Sequence, residues 1–147
     1  MSMTATRGGP PLSILLVEDD DGDAKAVRRA FEKAKIVHPI RRAVDGVEAL
    51  DVMRGTAGQT KLQPPYVMLV DLNLPRMNGI QLVKALRADD NLRHAIVFVL
   101  STSRREEDKM AAYDLNVAGY ILKSTAGQDF LNLVDLMNCY GRIVEFP

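Results

Sequence analysis

Cysteine is almost missing from this chain: Cys139 is the only one. A lone thiol excludes an intrachain disulfide and any cysteine-based zinc site. An excess of one charge is missing too. Lys and Arg together number 19, as do Asp and Glu, so no global basic field exists and direct nucleic-acid binding is not expected. No apolar run approaches ~18 residues, and the N-terminus lacks a signal-peptide apolar region, so neither a membrane span nor export is expected. A reducing cytoplasm is the default setting. Internal repeats and low-complexity tracts are also lacking. What remains is ordinary for a globular protein: 147 residues, 47% hydrophobic and 26% charged, enough for one domain with a sizeable core.

The most telling stretch is Tyr66 to Leu74. Tyr66 to Val70 is an unbroken apolar run, and Asp71 follows it directly. Such a run reads as a strand buried on both faces. Similar runs occur at Leu12 to Val17, Ala95 to Leu100 and Ala118 to Leu122, with a shorter, more charged one at Ile40 to Val44 suited to a sheet edge. Helical spacing lies between them. Ala24, Val27, Ala30, Phe31 and Ala34 mark a first helix; Val47, Leu50 and Met53 a second; Ile80, Val83 and Leu86 a third. A fourth runs to about Leu115, and Phe130, Leu133, Val134 and Met137 mark a fifth.

Helix starts are expected at Asp21 or Asp23, at Asp45 with Glu48, at Asn78, at Ser103 with Glu106, and at Thr125 with Gln128. Residues 55–65 read as a surface loop. Strands alternating with helices imply an α/β protein, a doubly wound parallel sheet with helices on both faces. Residues 1–11 are expected to be a disordered leader, 12–139 one domain, and 140–147 an extension.

The strand ends carry the chemistry. The first run ends in Glu18 and Asp19, the third in Asp71, the fourth in Ser101 and Thr102, the fifth in Lys123. In a parallel sheet these groups share one rim, where open α/β sheets bind ligands. Three neighbouring carboxylates repel and need a cation. Oxygen ligands without His or Cys point to Mg²⁺ rather than zinc. A hydroxyl and an ammonium beside them would complete a phosphate cradle, with Asp71 able to act as a nucleophile.

These residues resemble the receiver domain of two-component response regulators. Ser101 lies 30 residues and Lys123 52 residues after Asp71, similar to the chemotaxis receiver protein. The resemblance covers about residues 12–138. It implies a flavodoxin-like (βα)5 fold with strand order 2-1-3-4-5. It further implies that Asp71 is the phosphoacceptor and that Asp19 is a direct Mg²⁺ ligand. Glu18 would bind through water and Asn73 through its backbone carbonyl. Ser101 would bind a phosphoryl oxygen, Lys123 would pair with Asp71 and then with the phosphoryl group, and Tyr120 would be the switch aromatic. Such a protein assists its own Mg²⁺-dependent phosphorylation and dephosphorylation without being an enzyme in the usual sense.

Two positions depart from the pattern. Thr102 stands where Ala or Gly is commoner, narrowing access to the phosphoryl group. Lys123-Ser124 replaces the family's Lys-Pro. The Lys-Pro bond is typically cis, and cis before a non-proline costs about 2.5–4 kcal/mol, which leaves the geometry there open. Lys123-Ser124, the helix start at Ser103 to Asp108 (Ser-Arg-Arg-Glu-Glu-Asp), the loop at 55–65 and the extension resemble the small, stand-alone regulators paired with phytochrome histidine kinases. That resemblance implies a phytochrome kinase as partner and a homodimer.

Gly141 reads as a stop for the last helix. Beyond it, Ile143, Val144 and Phe146 are expected to bury, either on their own domain or against a second subunit. The stretch after Cys139 is too short for an output module, so the signal is expected to leave by protein contacts or onward phosphoryl transfer. His38 and His94 read as ordinary surface residues. Two rival classes remain: a haloacid-dehalogenase-type phosphatase, which needs an acid where Asn73 stands, and a degenerate receiver serving only as an interaction module.

Overall fold

The apolar runs become strands because both of their faces are covered. The computed structural model describes residues 12–126 and 130–147; the expected leader, residues 1–11, lies outside them. Among the described residues there are five strands: β1 (Ser13–Val17), β2 (Ile40–Ala43), β3 (Tyr66–Val70), β4 (Val97–Ser101) and β5 (Gly119–Leu122). They alternate with α1 (Asp21–Lys33), α2 (Gly46–Arg54), α3 (Gly79–Ala88), α4 (Glu106–Asp114) and α5 (Leu131–Ile143). A 3-10 turn over Lys123–Thr125 follows β5. Every pairing is parallel, in the order β2-β1-β3-β4-β5. This is the flavodoxin-like arrangement implied by the resemblance.

Successive strand side chains point to opposite faces. Leu15, Val17, Met68, Val70, Val97 and Val99 enter one layer with Leu50, Met53, Leu82, Leu86 and Ala112 from α2, α3 and α4. Ile14, Leu16, Val67, Leu69, Phe98 and Leu100 enter the other with Val27 and Phe31 of α1 and Leu133 and Met137 of α5. The central strand is sealed from both sides, and Val67 through Val70 are each 0% exposed. Strand β2 lies at the sheet edge, as its charges suggested, but Arg41 and Arg42 are half-buried rather than exposed.

Two helix starts form as expected. Asp45 accepts the Glu48 amide at 2.8 Å, and Asn78 shares a full capping box with Gln81. The Glu48 carboxylate accepts the Val44 amide, one residue before the cap. Three starts differ. The cap of α1 is Asp20, whose Oδ2 accepts the Asp23 amide at 2.7 Å, in place of Asp21 or Asp23. Arg105 precedes α4 without a side-chain cap; the Ser103 Oγ accepts the Arg105 amide at 3.2 Å rather than that of Glu106, while its hydroxyl donates to Asp108. Thr125 donates to the Leu122 carbonyl, and α5 starts after Phe130; Gln128 lies outside the described residues.

Gly141 does not stop α5, which continues to Ile143. A Cβ at Gly141 would lie 2.8 Å from His38 Nε2, so the missing side chain lets the helix cross the imidazole closely. His38 is accordingly not an ordinary surface residue. It is half-buried, and its Nδ1 accepts the Leu12 amide at 3.0 Å; His94 is exposed. The last residues divide. Phe146 folds back onto its own domain, its ring centroid 5.9 Å from that of Tyr140, which in turn meets Phe98 at 5.2 Å. Ile143 is left 80% exposed.

Burial lowers the His38 pKa below its usual 6.5, and Nδ1 must stay unprotonated to accept the Leu12 N–H. Below pH 6.5 the unfolded chain takes up that proton more readily than the folded one. The contribution to stability is therefore full above that pH and lost as pH falls. Urea denaturation at about pH 7.5 and about pH 5.5 checks this. His38→Asn offers a non-titrating oxygen to Leu12, so it should lose less stability than the wild type over that interval.

Candidate functional site

Parallel pairing brings the carboxyl ends of β1, β3, β4 and β5 to one rim. Val17 pairs with Val70, so Glu18 and Asp71 emerge side by side, and the Asp71 amide donates to the Val17 carbonyl at 3.0 Å. Ser101 pairs with Leu122, the residue before Lys123. Carboxylate oxygens of Glu18, Asp19 and Asp71 lie within 4.8 Å of one another. Glu18 and Asp71 are buried, at 1% and 7% exposure, while Asp19 is exposed.

Lys123 enters this cluster from the end of β5. Its Nζ lies 2.8 Å from Glu18 Oε1, 2.7 Å from Asp23 Oδ2 and 3.3 Å from Asp71 Oδ2. Burial works against charge on the ammonium, but its bonds to Asp23 and Glu18 and the nearby Asp71 outweigh it and push the Lys123 pKa up. Burial pushes the Glu18 carboxyl up to about 7; the Lys123 bond opposes this and the Asp71 charge adds to it. One ammonium thus does not fully offset the buried acids. The donor set around the cluster is all oxygen, which suits a hard divalent cation.

The other expected residues sit around this centre. The Asn73 amide donates to Asp71 Oδ1 at 3.2 Å, and its side chain is exposed. Ser101 is fully buried, with its Oγ accepting the Ser103 amide at 3.1 Å. Tyr120 is half-buried, and its hydroxyl donates to the Ser103 carbonyl at 3.0 Å. Ser101 and Tyr120 therefore meet through one residue. Thr102 is exposed, and among the described residues its hydroxyl makes no bond to the carboxylates. Lys123-Ser124 is trans; among the described residues the cis bond is Pro64-Pro65.

Sequence reasoning missed three supports. Asp23, read as a helix cap, is a Lys123 partner; its place on the first turn after the acidic strand end was the available signal. Arg42, read as an edge charge, donates from Nε to the Glu18 carbonyl at 2.9 Å and pairs with Asp21 at 2.8 Å. The Arg76 fork binds both oxygens of buried Asp45, at 2.7 and 3.1 Å, and holds that carboxyl below its ordinary range. Arg76 has a left-handed φ of 62°, which nothing in its sequence neighbourhood announces. This pair ties the loop after Asp71 to the start of α2.

A five-stranded parallel sheet with three acids and a lysine at its carboxyl rim defines a class of signalling domain. The response regulator receiver domain profile matches residues 14–135, and the chain belongs to that family. The family's role is to accept a phosphoryl group from a kinase. The chain is 32% identical over 125 residues to the response regulator Rcp1 of Synechocystis sp., spanning 85% of each. It superposes on the phosphorylated cyanobacterial phytochrome response regulator RcpA with a TM-score of 0.83 at 29% identity, covering 94% of this chain and 99% of that one. The Mn²⁺-bound form of Rcp1 gives 0.81 at 29% identity, covering 93% and 99%. Its likeness is thus to the phytochrome response regulators, and the dehalogenase-type alternative falls.

The rim tolerates little added bulk. A Cβ on Gly79 would overlap the Asp71 carbonyl oxygen and lie 2.8 Å from the Leu72 Cα. Backbone cannot yield as a flexible side chain can. Gly79→Ala should therefore cost about 1–3 kcal/mol in urea denaturation, as overpacking does. An unchanged midpoint would show that the loop relaxes freely.

Proposed function

We propose that Asp71 accepts a phosphoryl group from the phosphohistidine of a histidine kinase, specifically a phytochrome kinase. The observation that carries this is buried Asp71, 3.3 Å from the Lys123 ammonium and clustered with Glu18 and Asp19. An Asp71 oxygen donates an electron pair to phosphorus as the phosphorus–nitrogen bond breaks, and that bond's pair stays on the imidazole nitrogen. Asp19, Asp71 and the Asn73 backbone carbonyl would hold Mg²⁺ directly, and Glu18 through water. When bound, Mg²⁺ offsets the charge on the phosphoryl oxygens. Lys123 pairs with Asp71 and then with the phosphoryl group. Ser101 donates its hydroxyl to a phosphoryl oxygen, and Thr102 narrows the approach. The protein thereby assists its own phosphorylation and dephosphorylation. A cytoplasmic location follows from this reading, since the donor kinase draws on cytoplasmic ATP.

The signal leaves through protein contacts or onward phosphoryl transfer. Drawing Ser101 toward the phosphoryl group frees the Ser103 amide, and Ser103 also holds the Tyr120 hydroxyl. The new charge of about −2 beside Lys123 is thus communicated to α4 and β5.

Incubation with phosphorylated kinase and radiolabelled phosphoryl donor tests the assignment. The wild type should take up label only with Mg²⁺, and Asp71→Asn should take up none. Label retained by Asp71→Asn would overturn the assignment, and no uptake by the wild type from any kinase would favour the degenerate receiver.

The kinase-paired protein is further read as a homodimer. Support comes from Leu136 and Ile143, two turns apart on α5 and 38% and 80% exposed. Ile143→Glu should shift the protein to monomer in sedimentation. A wild type already monomeric at ~50 μM would refute the dimer.

A further inference from the structure

The reading of Asp71 leaves one partner of Lys123 without a part. Asp23, on the first turn of α1, makes the shortest of the three ammonium contacts, 2.7 Å against 2.8 Å to Glu18 and 3.3 Å to Asp71. It is not one of the three acids whose oxygens cluster within 4.8 Å. The helix does not need its carboxylate either, because Asp20 supplies the cap. Asp23 itself is well fixed, since its amide donates to that cap at 2.7 Å.

An ammonium has three N–H groups, and three carboxylates engage them here. A cation among Glu18, Asp19 and Asp71 would compete with Lys123 for Glu18 and would repel the ammonium. A phosphoryl group on Asp71 would change the second partner as well. Asp23 alone stands outside both exchanges. The lysine stem has four rotatable bonds, and an untethered head spreads over many rotamers.

We propose that Asp23 is a positioning residue that anchors the Lys123 ammonium beside Asp71 while the other carboxylates serve the cation and the phosphoryl group. The anchor joins residues 100 apart in the chain, fastening the start of α1 to the end of β5. Its catalytic consequence rests on Asp71 as phosphoacceptor. The anchor itself requires neither the cation nor the phosphoryl group.

The test uses the full chain and Asp23→Asn, which keeps the side-chain size and the Asp20 cap. Two readouts are taken. With Mg²⁺, beryllofluoride affinity should fall about threefold to fivefold, the scale of a partly exposed ion pair. Without metal, ¹³C-lysine spectra should show the two Lys123 Cε protons distinct in the wild type and averaged in the variant, a change that a merely structural role for Asp23 would not produce. Unchanged Lys123 signals, or equal or tighter beryllofluoride binding by Asp23→Asn, overturn the anchor. Failure of the wild type to bind beryllofluoride would instead strike the Asp71 reading, and the metal-free lysine signals would then decide the anchor alone.

Discussion

One ammonium among three carboxylates is the constraint on which this structure turns. Glu18 and Asp71 are nearly sealed from water, and a buried carboxylate without a partner is expensive. Lys123 makes their burial tolerable. It can reach them only because β5 pairs with β4 at a register that sets Leu122 against Ser101. A slip of one residue would turn every β5 side chain to the opposite face and withdraw the ammonium. Core packing along β5 and charge balance at the rim are therefore the same requirement.

The rim is also held from its outer side. Arg42, on the edge strand, grips the Glu18 carbonyl. Arg76 and Asp45 fix the loop that follows Asp71, and the Gly46 amide donates to the Met77 carbonyl of that loop at 3.1 Å. The Gly79 amide donates to Leu72 at 3.0 Å. Each contact restrains backbone next to an acid. Such support is what keeps like charges together when they would otherwise spread apart. Burial, only partly countered by Lys123, still pushes the Glu18 carboxyl up to about 7. An all-oxygen cluster of this kind suits a hard cation.

Local sequence was a poor guide where several acids or hydroxyls compete. Asp20, Asp21 and Asp23 all suit a helix N-terminus, and only the backbone path decides that Asp20 caps while Asp23 turns to Lys123. Ser103 has the spacing of a cap, yet its Oγ takes the Arg105 amide and its hydroxyl goes to Asp108. Gly141 looks like a stop, but it lies where α5 passes His38 and the helix runs on. In each case a partner distant in sequence, or a competing neighbour, overrode a weak local preference.

By itself the sequence determined the strands, the helices and the end at which the chemistry gathers. Unbroken apolar runs can only be buried, and period-3.6 segments between them can only cover the runs' two faces. Glu18, Asp19, Asp71, Ser101 and Lys123 each stop such a run, so their identity and order were legible. Tertiary structure alone decided the contacts among them. It chose Asp23 as the third partner of Lys123, joined Ser101 to Tyr120 through Ser103, and left Ile143 outside while Phe146 folded in. Burial is inscribed in local composition, whereas a 2.7 Å bond between residues 100 apart depends on the register of the whole sheet.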